Sequence, residues 1–216
     1  MITSNRIVKL DIARTFAILC VVLCHCSEMI YTQQSVKVAE LGISSRIFMF
    51  GTFTIGRLGV PIFLYLSGIL LLKKTIDGDE DIFKFYKNNL FPLFVVNEIW
   101  VILYKLYGVF VLNEKFIFGD LIRELLLLKN STMVNMWYMP MIIGLYIGIP
   151  LLAKIVKSFS FKVICPIMLA IFIFEYIEPM LNVFVRIFNF KETFYSDMNI
   201  PYMGAAYGLY LLIGYY

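Results

Sequence analysis

The sequence has little charge, a single histidine and few cysteines. Charged residues make up only 16% of its 216 residues, and the net charge of +4 is spread along the chain, so nothing indicates a nucleic-acid-binding surface. Cysteine in apolar stretches commonly behaves as a small hydrophobic residue. All four cysteines lie in such stretches and therefore predict no disulfide framework: Cys20, Cys24, Cys26 and Cys165.

The residues around the histidine do not make a metal site. Cys24, His25 and Cys26 are consecutive, and consecutive helical residues point about 100° apart, so the three side chains cannot close round one ion. The chain also has no low-complexity tract and no repeat of about 20 to 50 residues, which excludes a solenoid. One domain, residues 1–216, is the simplest prediction.

The sequence is rich in long apolar runs. Hydrophobic residues make up 61% of the chain and the mean hydropathy is +0.82, which is outside the range of soluble globular proteins. The sequence predicts an all-α, polytopic membrane protein with about six transmembrane helices. The predicted spans are residues 9–27, about 57–72, about 89–112, a fourth from about 138, about 161–177 and one from about 202.

Loop charges predict the orientation of these spans. Arg6 and Lys9 precede the first span, and a lysine-rich loop follows the second, so the positive-inside rule favours a cytoplasmic amino terminus. Residues 32–56 are interpreted as an external re-entrant or interfacial segment. Residues 113–135 alternate apolar with polar side chains, and we expect them to lie on the membrane surface with Asp120, Arg123 and Glu124 on the polar face.

Three charged or titratable side chains, Asp11, Arg14 and His25, interrupt the first apolar run, Lys9–Ser27. Arg14 and His25 are eleven positions apart, so on a helix they share nearly one face and are separated by about 16 Å along the axis. A charge near the centre of a membrane helix costs about 2.5 to 3.5 kcal/mol on insertion scales and usually faces protein or a water-filled cavity. This face is a candidate site. The alternative is that Arg14 reaches the headgroups and His25 bonds a neighbouring helix.

Later polar or aromatic residues have competing interpretations. Glu98 and Lys105 interrupt the third span, and we expect each to meet a partner on another helix. Ser67 has no Gly-x-Ser-x-Gly elbow around it, so Ser67-Gly68 is better explained by close helix packing than by a nucleophile. Trp137 begins the fourth span and fits a membrane-interface aromatic better than a sugar-stacking surface.

Five segments resemble the acyltransferase-3 family of integral membrane acyltransferases. The first is Asp11-Ile-Ala-Arg14 followed by His25, and the second is the Pro-Ile-Phe…Ser-Gly pattern of the second span. The third departs from the family, because this chain has Lys87-Asn-Asn where the family has arginines before a proline. The resemblance covers the whole chain through these segments: 11–25, 59–68, 85–92, 136–139 and 208–215.

The resemblance implies an activity and its partners. It implies transfer of an acetyl or similar acyl group from cytoplasmic acyl-CoA, a cosubstrate and not a bound cofactor, to a hydroxyl of a cell-surface polysaccharide or its lipid-linked precursor. The protein would then lie among the lipids of a bacterial inner membrane. Because the family is expected to have about ten spans, we expect residues 1–216 to be the amino-terminal part of one membrane-embedded domain.

The same resemblance, with the chemistry of the side chains, suggests roles for individual residues. His25 is the one imidazole and is expected to act as general base or, less directly, as a covalent acyl carrier. Arg14 is expected to be catalytic and to bind the donor. Lys84 and Lys87 are the cations near the proline and are expected to contact donor phosphates. A substrate path is predicted to include Glu98, Lys105, Ser67 and Trp137.

Two other functions are compatible with the sequence. A transporter of a polysaccharide precursor would use Arg14, His25, Glu98 and Lys105 to line its pathway, and it would move substrate without acyl transfer. A non-catalytic membrane scaffold would be indifferent to substitution of His25.

Overall fold

The computed structural model describes residues 8–30, 41–129, 134–177, 180–181 and 205–216. In these residues the chain is helical, with short connecting turns and no strand. The predicted all-α class is therefore confirmed. Nine α-helices are described: α1 Val8–Glu28, α2 Ile43–Gly56, α3 Gly59–Ser67, α4 Asp79–Phe85, α5 Phe91–Phe110, α6 Phe118–Leu125, α7 Tyr138–Ser158, α8 Phe161–Phe172 and α9 Ala205–Tyr215.

Short irregular helical turns extend several of these helices. A π-helical turn, Gly68–Leu72, continues α3, a second, Tyr86–Leu90, joins α4 to α5, and a third, Ile173–Ile177, continues α8. A 3₁₀ turn, Val134–Trp137, leads into α7. The predicted fifth span therefore corresponds to α8 with its π-turn. Residues 202–204, where the sixth span was expected to begin, lie outside the described residues.

Within the described residues, four helical segments are long and apolar enough to cross a membrane: Val8–Glu28, Ile43–Leu72, Asp79–Phe110 and Tyr138–Ser158. The chain is a multi-pass helical membrane protein. The predicted first and second spans lie within the first two segments, the third lies within Asp79–Phe110 except for its last two residues, and the fourth begins with Tyr138–Ser158. The total of six stays a prediction.

The interpretation of residues 32–56 as an external re-entrant or interfacial segment is wrong for residues 43–56, whereas residues 32–40 lie outside the described residues. Residues 43–56 form α2, which runs into α3 as one apolar helical segment of 30 residues. The two residues at the junction, Arg57 and Leu58, keep right-handed helical backbone angles, with φ of −69° and −71°. Pro61 does not interrupt the segment, because it lies in the first turn of α3, where a missing N–H costs little.

The chain divides into two compact units. Unit 1 contains residues 1–73 and 206–216, and unit 2 contains residues 74–205. In unit 1, α2 and α3 pack antiparallel to α1, and glycines bring the backbones together. A Cβ at Gly56 would lie 2.7 Å from the Cys24 nitrogen, and one at Gly59 would lie 2.8 Å from the Ala17 oxygen. Small residues permit this close approach of helices in a membrane.

The carboxyl end of this segment packs on α9 in the same manner. A Cβ added at Gly68 would overlap the carbonyl oxygen of Leu211, and one at Gly214 would overlap that of Tyr65. The expectation that Ser67-Gly68 serves close helix packing is confirmed at Gly68.

Unit 2 is built on α7 and α5. The buried residues of α7 recur at helical spacing, as Ile142, Leu145, Ile149 and Val156. The buried residues of α5 form a second stripe of Asn97, Val101, Lys105 and Gly108. The Tyr86 hydroxyl, in the π-turn before α5, donates a hydrogen bond to the Ile147 carbonyl of α7 at 2.8 Å.

Candidate functional site

His25 lies in the last turn of α1 beside a carboxylate and a guanidinium. Its Nδ1 is 3.3 Å from Oε2 of Glu28, one helical turn further along. The other oxygen of Glu28, Oε1, is 3.6 Å from Nη2 of Arg57, which comes from the junction of α2 and α3. The guanidinium of Arg57 also lies over the Phe53 ring, 4.4 Å from its centroid. We call His25, Glu28 and Arg57 the His25 cluster.

The His25 cluster is partly open to its surroundings. The side chains of His25 and Glu28 are 34% and 33% exposed. Arg57 is more exposed, at 62%. The described helices therefore do not enclose the imidazole, and the charges of the cluster are only partly shielded by protein. The close approach of Gly56 to Cys24 places the α2–α3 junction against the last turns of α1, and this packing brings Arg57 within reach of Glu28.

Arg14 has a different carboxylate partner near the other end of α1. Its Nη1 donates to Oδ1 of Asp11 at 3.1 Å, and its side chain is 45% exposed. Thr15 donates to the Asp11 carbonyl oxygen at 2.9 Å. Because α1 is helical from Val8 to Glu28, Arg14 and His25 share nearly one face but are about 16 Å apart along the axis. The structure places them on one helix and does not bring them into contact.

Ser67 and Trp137 occupy ends of helices. Ser67 is the last residue of α3 and is half-buried beside the tightly packed Gly68. Trp137 directly precedes α7, is 46% exposed and meets the Tyr138 ring edge-on at 6.2 Å.

Lys105 is held in a buried ion pair within unit 2. Its Nζ donates to Oε1 of Glu124, on α6, at 3.0 Å, and the two side chains are only 9% and 1% exposed. The expectation that Lys105 meets a partner on another helix is confirmed. The expectation that Glu124 lies on a solvated polar face is wrong, because pairing with Lys105 turns it inward.

Glu98 has a closer partner than we expected. The side-chain nitrogen of Asn97, its neighbour in α5, donates to Glu98 Oε1 at 3.0 Å. Asn97 is 1% exposed and Glu98 is half-buried. This contact lies within one helix and differs from the interhelical partner that the sequence suggested.

Asp120, on the same helix as Glu124, forms ion pairs near the protein surface. Lys129 Nζ lies 2.6 Å from its Oδ2, and Arg123 Nη1 lies 3.9 Å from its Oδ1. The hydrogen bond from Lys129 holds the pKa of the Asp120 carboxyl below its usual value, because it stabilises the ionised form.

Lys84 and Lys87 are both exposed, on α4 and on the π-turn that follows it. Two further lysines lie near this turn. Lys74 Nζ donates to Asn89 Oδ1 at 3.2 Å, and Lys157 Nζ donates to the Lys74 carbonyl oxygen. Lysines in this part of unit 2, three from residues 74–87 and Lys157 from α7, can attract anions, although Lys74 and Lys157 already have hydrogen-bond partners.

Sequence reasoning missed Glu28, Arg57 and Glu124. A signal existed for Glu28, because residues three apart on a helix are neighbours and Glu28 follows His25 by three. Arg57 and Glu124 reach their partners through packing between helices, which local spacing does not reveal.

A comparison with protein families matches this chain over nearly its whole length. A family model described as an acyltransferase domain, of the acyltransferase-3 type, matches residues 7–216. The match includes every candidate residue discussed above. No curated protein and no solved structure matches the chain.

Proposed function

Because the chain belongs to the acyltransferase-3 family, we propose that it transfers an acetyl or similar acyl group from acyl-CoA to a hydroxyl of a cell-surface polysaccharide or its lipid-linked precursor. The family assignment supports an acyltransferase in general. The observation that carries the finer proposal is His25, the sole imidazole of the sequence, half-exposed on a helix of membrane-spanning length.

The proposed chemistry needs one base. The acceptor hydroxyl gives its proton to His25 as its oxygen attacks the thioester carbonyl carbon. The carbon–sulfur bond then breaks, and the thiolate of CoA leaves and takes the proton back from the imidazolium. Histidine suits both steps, because its ordinary pKa of about 6.5 lets it accept and release a proton near neutral pH.

Arg14 and two lysines would bind the donor. The guanidinium of Arg14 presents planar donors that fit a phosphate or a polarised carbonyl, and a bound donor would compete with Asp11 for it. Lys84 and Lys87 are exposed and would bind phosphate as point charges. Since Arg14 and His25 are about 16 Å apart, Arg14 would hold a part of the extended donor remote from the thioester.

We place the protein in a bacterial inner membrane with a cytoplasmic amino terminus. Arg6 and Lys9 before α1 support this orientation. Arg14 would then lie toward the cytoplasm, where acyl-CoA is available, and His25 toward the outer half of the membrane, nearer a surface glycan. Ser67, Glu98 and Trp137 stay predictions for the substrate path. Lys105 is better explained as part of the fold, since Glu124 neutralises it.

The test compares membranes that contain the complete product of this gene with membranes that contain its His25→Gln variant, expressed equally. Both are incubated with radiolabelled acetyl-CoA and total surface glycan. We expect label in glycan only from the first, with a loss of about 10²- to 10⁴-fold for the variant, the usual contribution of general base catalysis. Cys26→Ala, a change of the exposed neighbouring side chain, is the matched control and should transfer label normally.

Two results would contradict the proposal. Equal labelling with His25→Gln would remove His25 from the chemistry and leave the transferase. No labelling from well-expressed wild-type protein would contradict acyl transfer to glycan itself and would favour the transport function.

A further inference from the structure

We propose that Glu28 positions His25 for proton transfer and that Arg57 fixes Glu28 in turn. Glu28 would hold the imidazole in the tautomer that leaves Nε2 free to accept a proton, and Arg57 would keep the carboxylate in place. This inference rests on the proposed function, because it assigns helpers to the base that the function requires.

The two atoms in contact determine which nitrogen of His25 carries the proton. His25 Nδ1 lies 3.3 Å from Glu28 Oε2. An ionised carboxylate only accepts hydrogen bonds, so Nδ1 must carry the proton in this contact. A neutral imidazole has one N–H, and Nε2 is then the basic nitrogen. Contact with Glu28 therefore selects the nitrogen that can act as base and orients the ring.

The carboxylate of Glu28 has two partners on different helical elements. Oε2 faces His25 on α1, whereas Oε1 faces Arg57 Nη2, at 3.6 Å, from the α2–α3 junction. A glutamate on the last turn of a helix would otherwise sample several rotamers. The guanidinium restricts it, and the ring of Phe53 under the guanidinium restricts Arg57.

Close backbone packing holds these helices together beside the cluster. Gly56 directly precedes Arg57, and a Cβ at Gly56 would lie 2.7 Å from the backbone nitrogen of Cys24, the residue before His25. The backbones on either side of the cluster are therefore in contact. Main-chain packing therefore fixes the positions of Arg57 and His25 relative to each other. The carboxylate of Glu28 lies between the imidazole of His25 and the guanidinium of Arg57.

The His25 cluster is too exposed for its ion pairs to serve mainly to stabilise the fold. Ion pairs at this exposure contribute little to the free energy of folding, because their surroundings screen the charges and can replace a lost partner. A carboxylate that contributes little to folding and touches the candidate base has its main effect on the orientation of that base. The same arrangement of base and orienting carboxylate recurs in enzymes with histidine bases.

The experiment measures kcat and KM for acetyl-CoA, together with Tm in detergent, for Glu28→Gln in the complete protein. The carboxamide can donate to Nδ1 through its NH₂ group and so permit the unproductive tautomer. We expect kcat to fall about 10- to 100-fold, the usual effect of removing a group that orients a functional histidine. We expect Tm to stay the same, because Glu28 is partly exposed, and KM for the donor to stay the same, because the proposed function assigns donor binding to Arg14 and two lysines. Asp120→Asn, which removes a carboxylate paired at the surface of unit 2, is the matched control and should leave kcat unchanged.

Two further variants separate orientation from charge. Arg57→Ala should lower kcat by a smaller factor than Glu28→Gln, and Arg57→Lys should restore part of that loss, because a lysine keeps the cation without the planar guanidinium.

The double variant His25→Gln/Glu28→Gln should be no less active than His25→Gln alone, because Glu28 acts through the imidazole.

The outcomes distinguish this inference from the function on which it rests. An unchanged kcat for Glu28→Gln beside an inactive His25→Gln overturns the inference and keeps the proposed function. A lower Tm, or a loss in the double variant that multiplies the two single losses, also overturns it, since Glu28 would then act by stabilising the fold or independently of His25. Activity retained by His25→Gln overturns both.

Discussion

Two charged clusters in this chain have similar components and different environments. In the His25 cluster of unit 1, the side chains of His25 and Glu28 are about one-third exposed. In unit 2, Lys105 and Glu124 are 9% and 1% exposed. Both clusters join neighbouring helical elements of a largely apolar chain. A charge within a membrane helix therefore marks no single role: protein encloses the Lys105–Glu124 pair, whereas it encloses the His25 cluster only in part.

The free energies of the two clusters should differ accordingly. Removing one member of a buried ion pair leaves an uncompensated charge and costs about 3 to 5 kcal/mol. Disrupting a half-exposed pair costs about 0 to 1 kcal/mol, because water or headgroups can replace the lost partner. Substitutions can therefore separate a cluster that holds the fold from one that is available for chemistry.

The largest effect on stability is expected for Glu124→Gln. It leaves Lys105 buried without a counter-charge, so the free energy of unfolding should fall by about 3 to 5 kcal/mol. The measurement is thermal unfolding in detergent, with Asp120→Asn on the same helix as the control. The double variant Lys105→Met/Glu124→Leu should recover much of the loss, because apolar side chains of similar volume often replace a buried pair at little cost. A Tm for Glu124→Gln equal to that of the control would show that the buried pair contributes little.

An intermediate effect is expected for Gly56→Ala. The new methyl group would press on the Cys24 backbone, and overpacking of this kind costs about 1 to 3 kcal/mol. It would also displace Arg57 from Glu28, so acyl transfer per folded molecule should fall. The matched control is Gly144→Ala in α7, where the described residues leave the space around a new Cβ open within 4 Å. That change should be neutral or stabilising, because alanine favours a helix. If both variants unfold and transfer label equally, the tight crossing of α1 and α2 does not support the cluster.

The smallest effect on stability is expected for Arg14→Lys. The pair with Asp11 is half-exposed, so the free energy of unfolding should change by less than about 1 kcal/mol. The KM for acetyl-CoA should nevertheless rise, because lysine keeps the charge and loses the planar set of donors. Steady-state kinetics in the same membranes measure this, with Arg123→Lys as a control at another half-exposed ion pair. An unchanged KM for acetyl-CoA would mean that donor binding does not need the planar set of hydrogen-bond donors of Arg14.

The sequence was sufficient for the helices and insufficient for the contacts between them. Long apolar runs predicted α1, α5 and α7, because burial in lipid requires a continuous helical stretch. The Ser, Thr and Arg residues in 43–56 suggested an interfacial segment, yet helical angles at Arg57 and Leu58 join α2 to α3. Composition alone does not reveal whether two helical stretches are continuous.

Helical periodicity made part of the candidate site predictable from the sequence. Helical periodicity placed Arg14 and His25 on one face of α1, and the observed helix preserves that relation. Glu28 was within reach of the same periodic reasoning. The partner of Lys105 was not, because Glu124 is 19 positions away and its amphipathic surroundings predicted a solvated side chain. Pairing across helices depends on tertiary packing, which overrides the local pattern.

The most direct test of the contrast measures His25→Gln and Glu124→Gln side by side in the complete protein, with acyl transfer per folded molecule and Tm determined for each. The account predicts that His25→Gln keeps the wild-type Tm and loses transfer, whereas Glu124→Gln loses stability and keeps transfer in the molecules that remain folded. Normal transfer per folded molecule by His25→Gln would contradict it.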